Sequence, residues 1–380
     1  MPASSLINLN HKNSVSLMKK KTRFQLGLFA LALLMAGCGG NKGGEAVADR
    51  PIIQMDSIDY PDLPDGATIR MSKSDFPKGK IRSIEQIPIE GLEITNREID
   101  HLMVKDYLII KHLEFRKGAN LVHVVSLPDY RLVAEIAPFG EGPDEFHDVR
   151  LIPTEESDKL CYVLNCADGR LCYLSNDLRL VPCGHRVAPG RGPNVNLFVG
   201  KDLLLTEHDS SEGKGLIAVN QRDSTVTGLL PLHFSENVGG YFYLVSFAHS
   251  YQKRRVAISF LFHDRIGFFD FDGGHPKFIR FGDKTLKTLA SPENPMYYHN
   301  CFANDHYVFA VYRPSNYNTE KDRETFLEQY DWDGNLVARY ELPKDRGFYS
   351  GYATNESDTV IYLVDYYEDQ FLHRVTLEWP

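Results

Sequence analysis

Two short stretches constrain this chain more than any other feature. APFGEGPDEF (residues 137–146) and APGRGPNVN (residues 188–196) both write Ala-Pro followed by Gly-x-Gly-Pro, and they lie fifty residues apart when Gly142 is set against Gly192. A fixed period of 20 to 50 residues marks a repeat architecture, in which one small unit recurs because it cannot bury its apolar face alone.

The unit is a set of β-strands. Beyond residue 84 the chain runs in short stretches rich in Val, Ile, Leu, Tyr and Phe, broken by Asp-Gly, Asn-Asp and Pro-containing turns, which is the hairpin signature. GFFDFDGGHPKFIRF (267–281) and EQYDWDGNLVARYEL (328–342) set Asp-aromatic-Asp-Gly between two strands, with the glycine free to take the positive φ of a tight turn. Strand groups are expected to begin near Glu93, Val149, Val195, Phe242, Met296 and Gly347. Each group holds four short strands, and four-stranded sheets repeated radially make a β-propeller, so the fold class is all-β with six blades of four antiparallel strands. The last group runs out of chain after three strands. An open ring would leave a long unpaired edge, so an N-terminal strand is expected to close it. Residues 84–89, with Pro88 suited to an edge position, are the segment chosen, and the propeller is placed at 84–380. The repeated phrase is then the crossing from the rim of one blade to the centre of the next. Gly140, Gly142, Gly190 and Gly192 allow its sharp path, and Pro143 and Pro193 stiffen it. In the second unit, turns at Asp168-Gly169 and Asn176-Asp177 set Cys172 opposite Asn165 and Val181.

The N-terminal region speaks to location. From Met18, the run Lys19, Lys20, Lys21 and Arg23 precedes a thirteen-residue, mostly apolar stretch ending before Cys38. That is a secretory signal, too short for the roughly 20 residues of a spanning helix. Residues 1–17 have no place in such a signal, so they are read as untranslated, with Met18 the start, 18–37 the signal peptide, 38–60 a Gly-rich tether and 61–83 an N-terminal extension. Cleavage before Cys38 removes five basic residues and no acidic one, leaving 37 basic against 51 acidic side chains, a net charge of about −14. Such an acidic surface excludes nucleic acid as a partner, because phosphate neutralisation needs Lys and Arg. The five cysteines after Cys38 are odd in number and miss the Cys-x-x-Cys spacing of zinc sites, so they are expected as buried thiols.

Leu34-Met35-Ala36-Gly37-Cys38 resembles the bacterial lipobox, which implies a diacylglycerol on Cys38, and Gly39 in place of Asp implies sorting to the outer membrane. Together with six blades and the Gly140-Glu141-Gly142-Pro143-Asp144-Glu145-Phe146 crossing, the chain resembles the TolB-like six-bladed propeller lipoproteins of Gram-negative bacteria. That resemblance implies fold and envelope location, with no agreed activity.

No G-x-S-x-G elbow, H-E-x-x-H metal motif or phosphate loop occurs, and the two Asp-x-Asp-Gly stretches lack the later carboxylates of a calcium cage. Propellers bind at the mouth of the central channel, and Glu141, Glu145, Arg191, Asn194, Tyr297, His299 and Tyr352 are the residues expected there. Two functions stay open. The first is a non-catalytic module that binds a glycan, peptide or protein partner at the channel face, with no cofactor. The alternative is a metal-assisted hydrolase or lactonase, which needs carboxylates and amides converging on one ion; no carboxylate recurs at matching blade positions.

Overall fold

The structure, a computed structural model, describes residues 68–380 apart from 93–97, 113–115, 128, 188–195, 211–212, 233–244, 262, 282–295, 316–323 and 366–370. The chain separates into two units, 1–46 and 47–380, and only the second contains described residues.

The second unit is a six-bladed β-propeller. Blades 1 to 6 begin at Glu98, Val149, Asn196, Val245, Met296 and Phe348, each within five residues of its expected start. In blades 1 to 5 four antiparallel strands follow in sequence order from centre to rim. Blade 6 takes three strands from the C-terminus, and its rim strand is β2 (Lys80–Pro88), which follows the short β1 (Thr68–Arg70). The ring is thus closed by an N-terminal strand, from Lys80 opposite Glu378 to Pro88 opposite Phe371. Pro88 sits on the edge strand, where the missing N–H costs no ladder bond. The closing strand starts four residues before the expected 84, because Lys80 to Ser83 continue the pairing through a bulge.

The core is distributed. Six clusters of buried apolar residues lie one at each blade boundary. Ile109, Val124, Val149 and Val163 join blades 1 and 2, and Ile152 and Phe198 join blades 2 and 3. Leu205, Val256 and Phe269 lie between blades 3 and 4, Phe268, Ala310 and Tyr330 between 4 and 5, and Phe309, Tyr340 and Ile361 between 5 and 6. The seam between blades 6 and 1 is filled by Leu108, Val125, Val364 and Leu372, with Ile89 just beyond β2. Alternating strands bury one face against each neighbouring blade, so every blade needs two partners.

Both Asp-aromatic-Asp-Gly stretches are hairpin turns. Gly273 (φ +80°) donates its N–H to the Asp270 carbonyl at 2.8 Å, and Gly334 (φ +71°) donates to the Asp331 carbonyl at 3.0 Å. A Cβ on Gly273 would also lie 2.2 Å from the Leu229 carbonyl oxygen of blade 3, so this glycine answers both a conformation and a close approach.

In blade 2 the register departs from expectation. Cys172 lies opposite Val163 and Pro182 rather than Asn165 and Val181. The turns are longer than two residues. The Asn165 side chain accepts from the Ala167 N–H and its carbonyl from the Gly169 N–H, while Ser175 and Arg179 close the next turn around Leu178, which takes positive φ. No two cysteines face each other in either register, and all five are thiols; Cys161, Cys172 and Cys301 are buried as expected, whereas Cys166 and Cys183 are only half-buried.

Candidate functional site

The innermost strand of each blade runs from the crossing end of the ring to the end where it turns into the second strand. The residues expected to form a site are divided between these ends. Arg191 and Asn194, with Gly190, Gly192 and Pro193, lie outside the described residues. Glu141 is exposed on the crossing.

Glu145 belongs to the crossing itself. Its carboxylate accepts the Gly142 N–H at 2.7 Å, and the Glu145 N–H donates to the Gly142 carbonyl at 3.1 Å. Cβ atoms built on Gly140 and Gly142 would fall 2.0 and 3.0 Å from the same carboxylate oxygen. The glycines therefore make room for Glu145. The left-handed residue of this crossing is Ala137, φ +59°, and not either glycine. Phe146 plugs the boundary of blades 1 and 2, and Arg170 lies over its ring at 4.5 Å while donating to the Pro143 and Glu145 carbonyls. Gly140→Ala is expected to expel the carboxylate and cost about 1.5–3 kcal/mol, the worth of a hydrogen bond to a charged group. The same change in a Glu145→Ala background should cost under about 1 kcal/mol; chemical denaturation of the four proteins checks this, and equal costs in both backgrounds would refute it.

Tyr297 and Tyr352 are both about 6% exposed; Tyr297 lies in the cluster between blades 4 and 5, 6.4 Å from Tyr312 of its own blade, and Tyr352 stands edge-on to His101 of blade 1 at 4.6 Å. His299 is half-buried on the innermost strand of blade 5.

Among the described residues a concave site lies at the other end. A cavity of about 600 Å³ opens where the innermost strands of blades 1, 2, 4, 5 and 6 turn outward, lined among others by Tyr130, His249, Gln252, Asp305, Asn355 and Glu356. Of the five expected binding residues that are described, none lines it. Its rim is tied from blade to blade. Ser250 donates to the Asp305 carboxylate at 2.5 Å, and Asn355 donates to the other carboxylate oxygen at 2.7 Å while its own carbonyl accepts the Asp305 N–H. Asn304 donates to the Thr354 carbonyl at 3.2 Å and accepts through its backbone carbonyl from the Trp332 indole at 3.0 Å. Lys105 reaches across to the Ser157 carbonyl and Asn176 of blade 2. Tyr130 and Tyr362 share a hydrogen bond of 3.0 Å across blades 1 and 6, and burial with that bond raises the Tyr130 phenol to about 12.

His249 stands edge-on to Tyr251 at 4.9 Å, and burial pushes its imidazole down to about 4. At neutral pH it is an uncharged ring with one donor and one acceptor nitrogen. Among the described residues no group of three or more His, Cys, Asp or Glu side chains is arranged to hold a metal ion. What the mouth offers is aromatic rings, amides and carboxylates held in place by neighbouring blades, an equipment for orienting a polar ligand. The signal lay where the innermost strands of blades 4, 5 and 6 end, at Ser250, Asn304-Asp305 and Thr354-Asn355, polar at neighbouring places.

No family model matches the chain, and no curated protein does. Among solved structures, a member of the DUF4221 family from Bacteroides vulgatus matches at 12% identity with a TM-score of 0.58, covering 80% of this chain and 99% of that one. The likeness is one of fold. A candidate exported protein of Bacteroides fragilis matches at 11% identity with a TM-score of 0.52, covering 83% and 99% of the two chains.

Proposed function

We propose that this chain is a TolB-like envelope lipoprotein, anchored through Cys38 to the outer membrane, whose propeller binds a glycan, peptide or protein partner without turning it over. The observation that carries the binding role is the 600 Å³ mouth with its blade-to-blade hydrogen-bonded rim. Side chains already held by neighbours lose little freedom when a ligand arrives, which favours affinity. The lipobox carries the anchoring, and a candidate exported protein of the same fold supports the location. Tyr130, Tyr251 and Tyr362 supply faces for stacking, and Gln252, Asn355 and Glu356 supply polar partners.

The test is capture on arrays of oligosaccharides and peptides by the mature protein, with Gln252→Ala and Asn355→Ala set beside Glu141→Ala on the other end of the ring. The first two are expected to weaken capture about tenfold, near 1.4 kcal/mol, and Glu141→Ala to leave it unchanged. Stoichiometric calcium or zinc with ester or lactone hydrolysis that a chelator abolishes would overturn the reading. For the anchor, Cys38→Ala should leave an unprocessed precursor, and an unchanged acylated product would refute it.

A further inference from the structure

The crossing end of the ring holds a second constellation, away from the mouth just described. Between blades 4 and 5, residues 68–79 run as a strap. β1 pairs parallel with the rim strand of blade 4, Thr68 opposite Phe278 and Arg70 opposite Arg280. A single 3-10 turn over Lys73–Asp75 follows, its ends locked by Ser72 and Asp75 in a capping box. Phe76 then packs against Phe281 and Tyr330, and Lys78 bridges to Arg339 of blade 5. The capped turn aims Lys73 inward.

Three acceptors converge on the Lys73 ammonium: Tyr298 Oη at 2.6 Å, Glu328 Oε2 at 2.8 Å and Asp264 Oδ1 at 3.2 Å. Three rings surround it, with Phe281 at 3.6 Å, Tyr312 at 3.8 Å and Tyr298 at 4.7 Å from Nζ to ring centre. A primary ammonium has three N–H donors and favours aromatic faces, so both of its demands are met at once.

The receptacle belongs wholly to the blades. Glu328 is fully buried; Tyr298 and Tyr330 donate to its Oε2 at 3.0 and 2.8 Å, and Arg339 Nε lies 3.3 Å from Oε1. Asp264 accepts from Tyr312 at 3.2 Å. Among the described residues, two carboxylates against one guanidinium leave one negative charge to be balanced. Burial raises the Asp264 carboxyl and lowers the Lys73 ammonium, with their mutual attraction working against both shifts. An uncompensated charge here would cost several kcal/mol.

We propose that the groove between blades 4 and 5 is a receptor site for a primary alkylammonium, such as the lysine side chain of another chain or a small amine, and that Lys73 is its built-in occupant. An external amine gains entry when Lys73 withdraws, so strap and ligand compete for one place. This site is independent of the mouth at the other end.

The experiment uses the full chain with Lys73→Ala, which empties the site and leaves its walls. n-Butylammonium copies the four-carbon stem and the ammonium of lysine. At a hundredfold excess over its Kd it is expected to raise the variant's melting temperature by roughly 4 °C in a saturable way, and to act on the parent only at much higher concentration, because there it must displace Lys73. Tetramethylammonium, a cation with no N–H donor, should not reproduce the effect, nor should sodium at equal ionic strength. No saturable rise, or an equal rise with tetramethylammonium, would overturn the proposal. Should Lys73→Ala not fold, its refolding yield with each of the two cations is the readout, with the same criterion. The double variant Lys73→Ala, Asp264→Asn restores charge balance without an occupant. It should fold and lose the butylammonium response, and an undiminished response would place the amine elsewhere.

Discussion

A chain that begins at residue 90 is expected not to fold, whereas one lacking residues 39–60 should melt with the parent. The first truncation removes β1, the capped turn and β2 together. It strips the outer edge from the last strand of blade 6, which pairs with β2 from Lys80–Glu378 to Pro88–Phe371. It takes Phe76 and Ile89 from their clusters, and each large apolar side chain is worth about 1.5–3 kcal/mol. It also leaves Glu328 and Asp264 buried without Lys73, and breaking such a pair costs about 3–5 kcal/mol. The sum is on the order of 10 kcal/mol, as large as the whole stability of an ordinary domain. Soluble yield and thermal melting of the two truncations check this, and a cooperative transition near the parent's for the shorter chain would refute closure by this strand.

Acid should destabilise the protein as pH falls from 6.5 toward 4. Burial holds His101 and His249 down to about 4 and His263 to about 3, against 6.5 for a free side chain. His101 nevertheless shares a hydrogen bond of 2.7 Å with Ser350 across the seam of blades 1 and 6. Because the folded values are depressed, the unfolded chain takes up protons that the folded one cannot. The contribution of these rings is complete above pH 6.5 and is lost as pH falls toward 4. Each ring forgoes up to about 1.4 kcal/mol per pH unit, so at pH 5 the three together remove roughly 6 kcal/mol at most. Urea denaturation at pH 7.5 and pH 5.0 measures the loss, and His263→Gln should recover about a third of it. Equal stabilities at the two values would show that these rings protonate in place.

Much of this architecture was legible because it rests on patterns that repeat. The blade count followed from the fifty-residue spacing, and ring closure followed from a last group with three strands. The strand turns around Gly273 and Gly334 were read from Asp-aromatic-Asp-Gly, since few residues tolerate positive φ. The register of blade 2 was not legible, because Asn165 and Asp168 use their side chains to lengthen the turn, and nothing in the spacing distinguishes that from a two-residue hairpin. The crossing was recognised as a phrase, but the structural part of its chemistry was not read. Glu145, expected as a ligand contact, also braces the turn over Gly140 and Gly142. The site at the far mouth was missed because its residues come singly, one or two after each innermost strand, and converge only once the ring has closed. Lys73 sat in an extension with no strand pattern, and its partners Asp264, Tyr298 and Glu328 lie about 190 to 255 residues away.

The strap also orders events in time. Lys80 pairs with Glu378, so a strand synthesised before every blade waits for one synthesised about three hundred residues later. Blades 1 to 5 can form as they appear, each on its predecessor, but the circle stays open until the C-terminus is delivered. Pairings at such long sequence separation are slow to form, since loop closure must be paid before contact rewards it. For that interval β2 has no partner, although β1 and Lys73 can already dock on blades 4 and 5. An arrested chain short of its final residues would present a bare strand edge, which is where mispairing between chains begins. Folding of this protein is therefore expected to end in one late docking step, with β2 arriving on an otherwise assembled wheel.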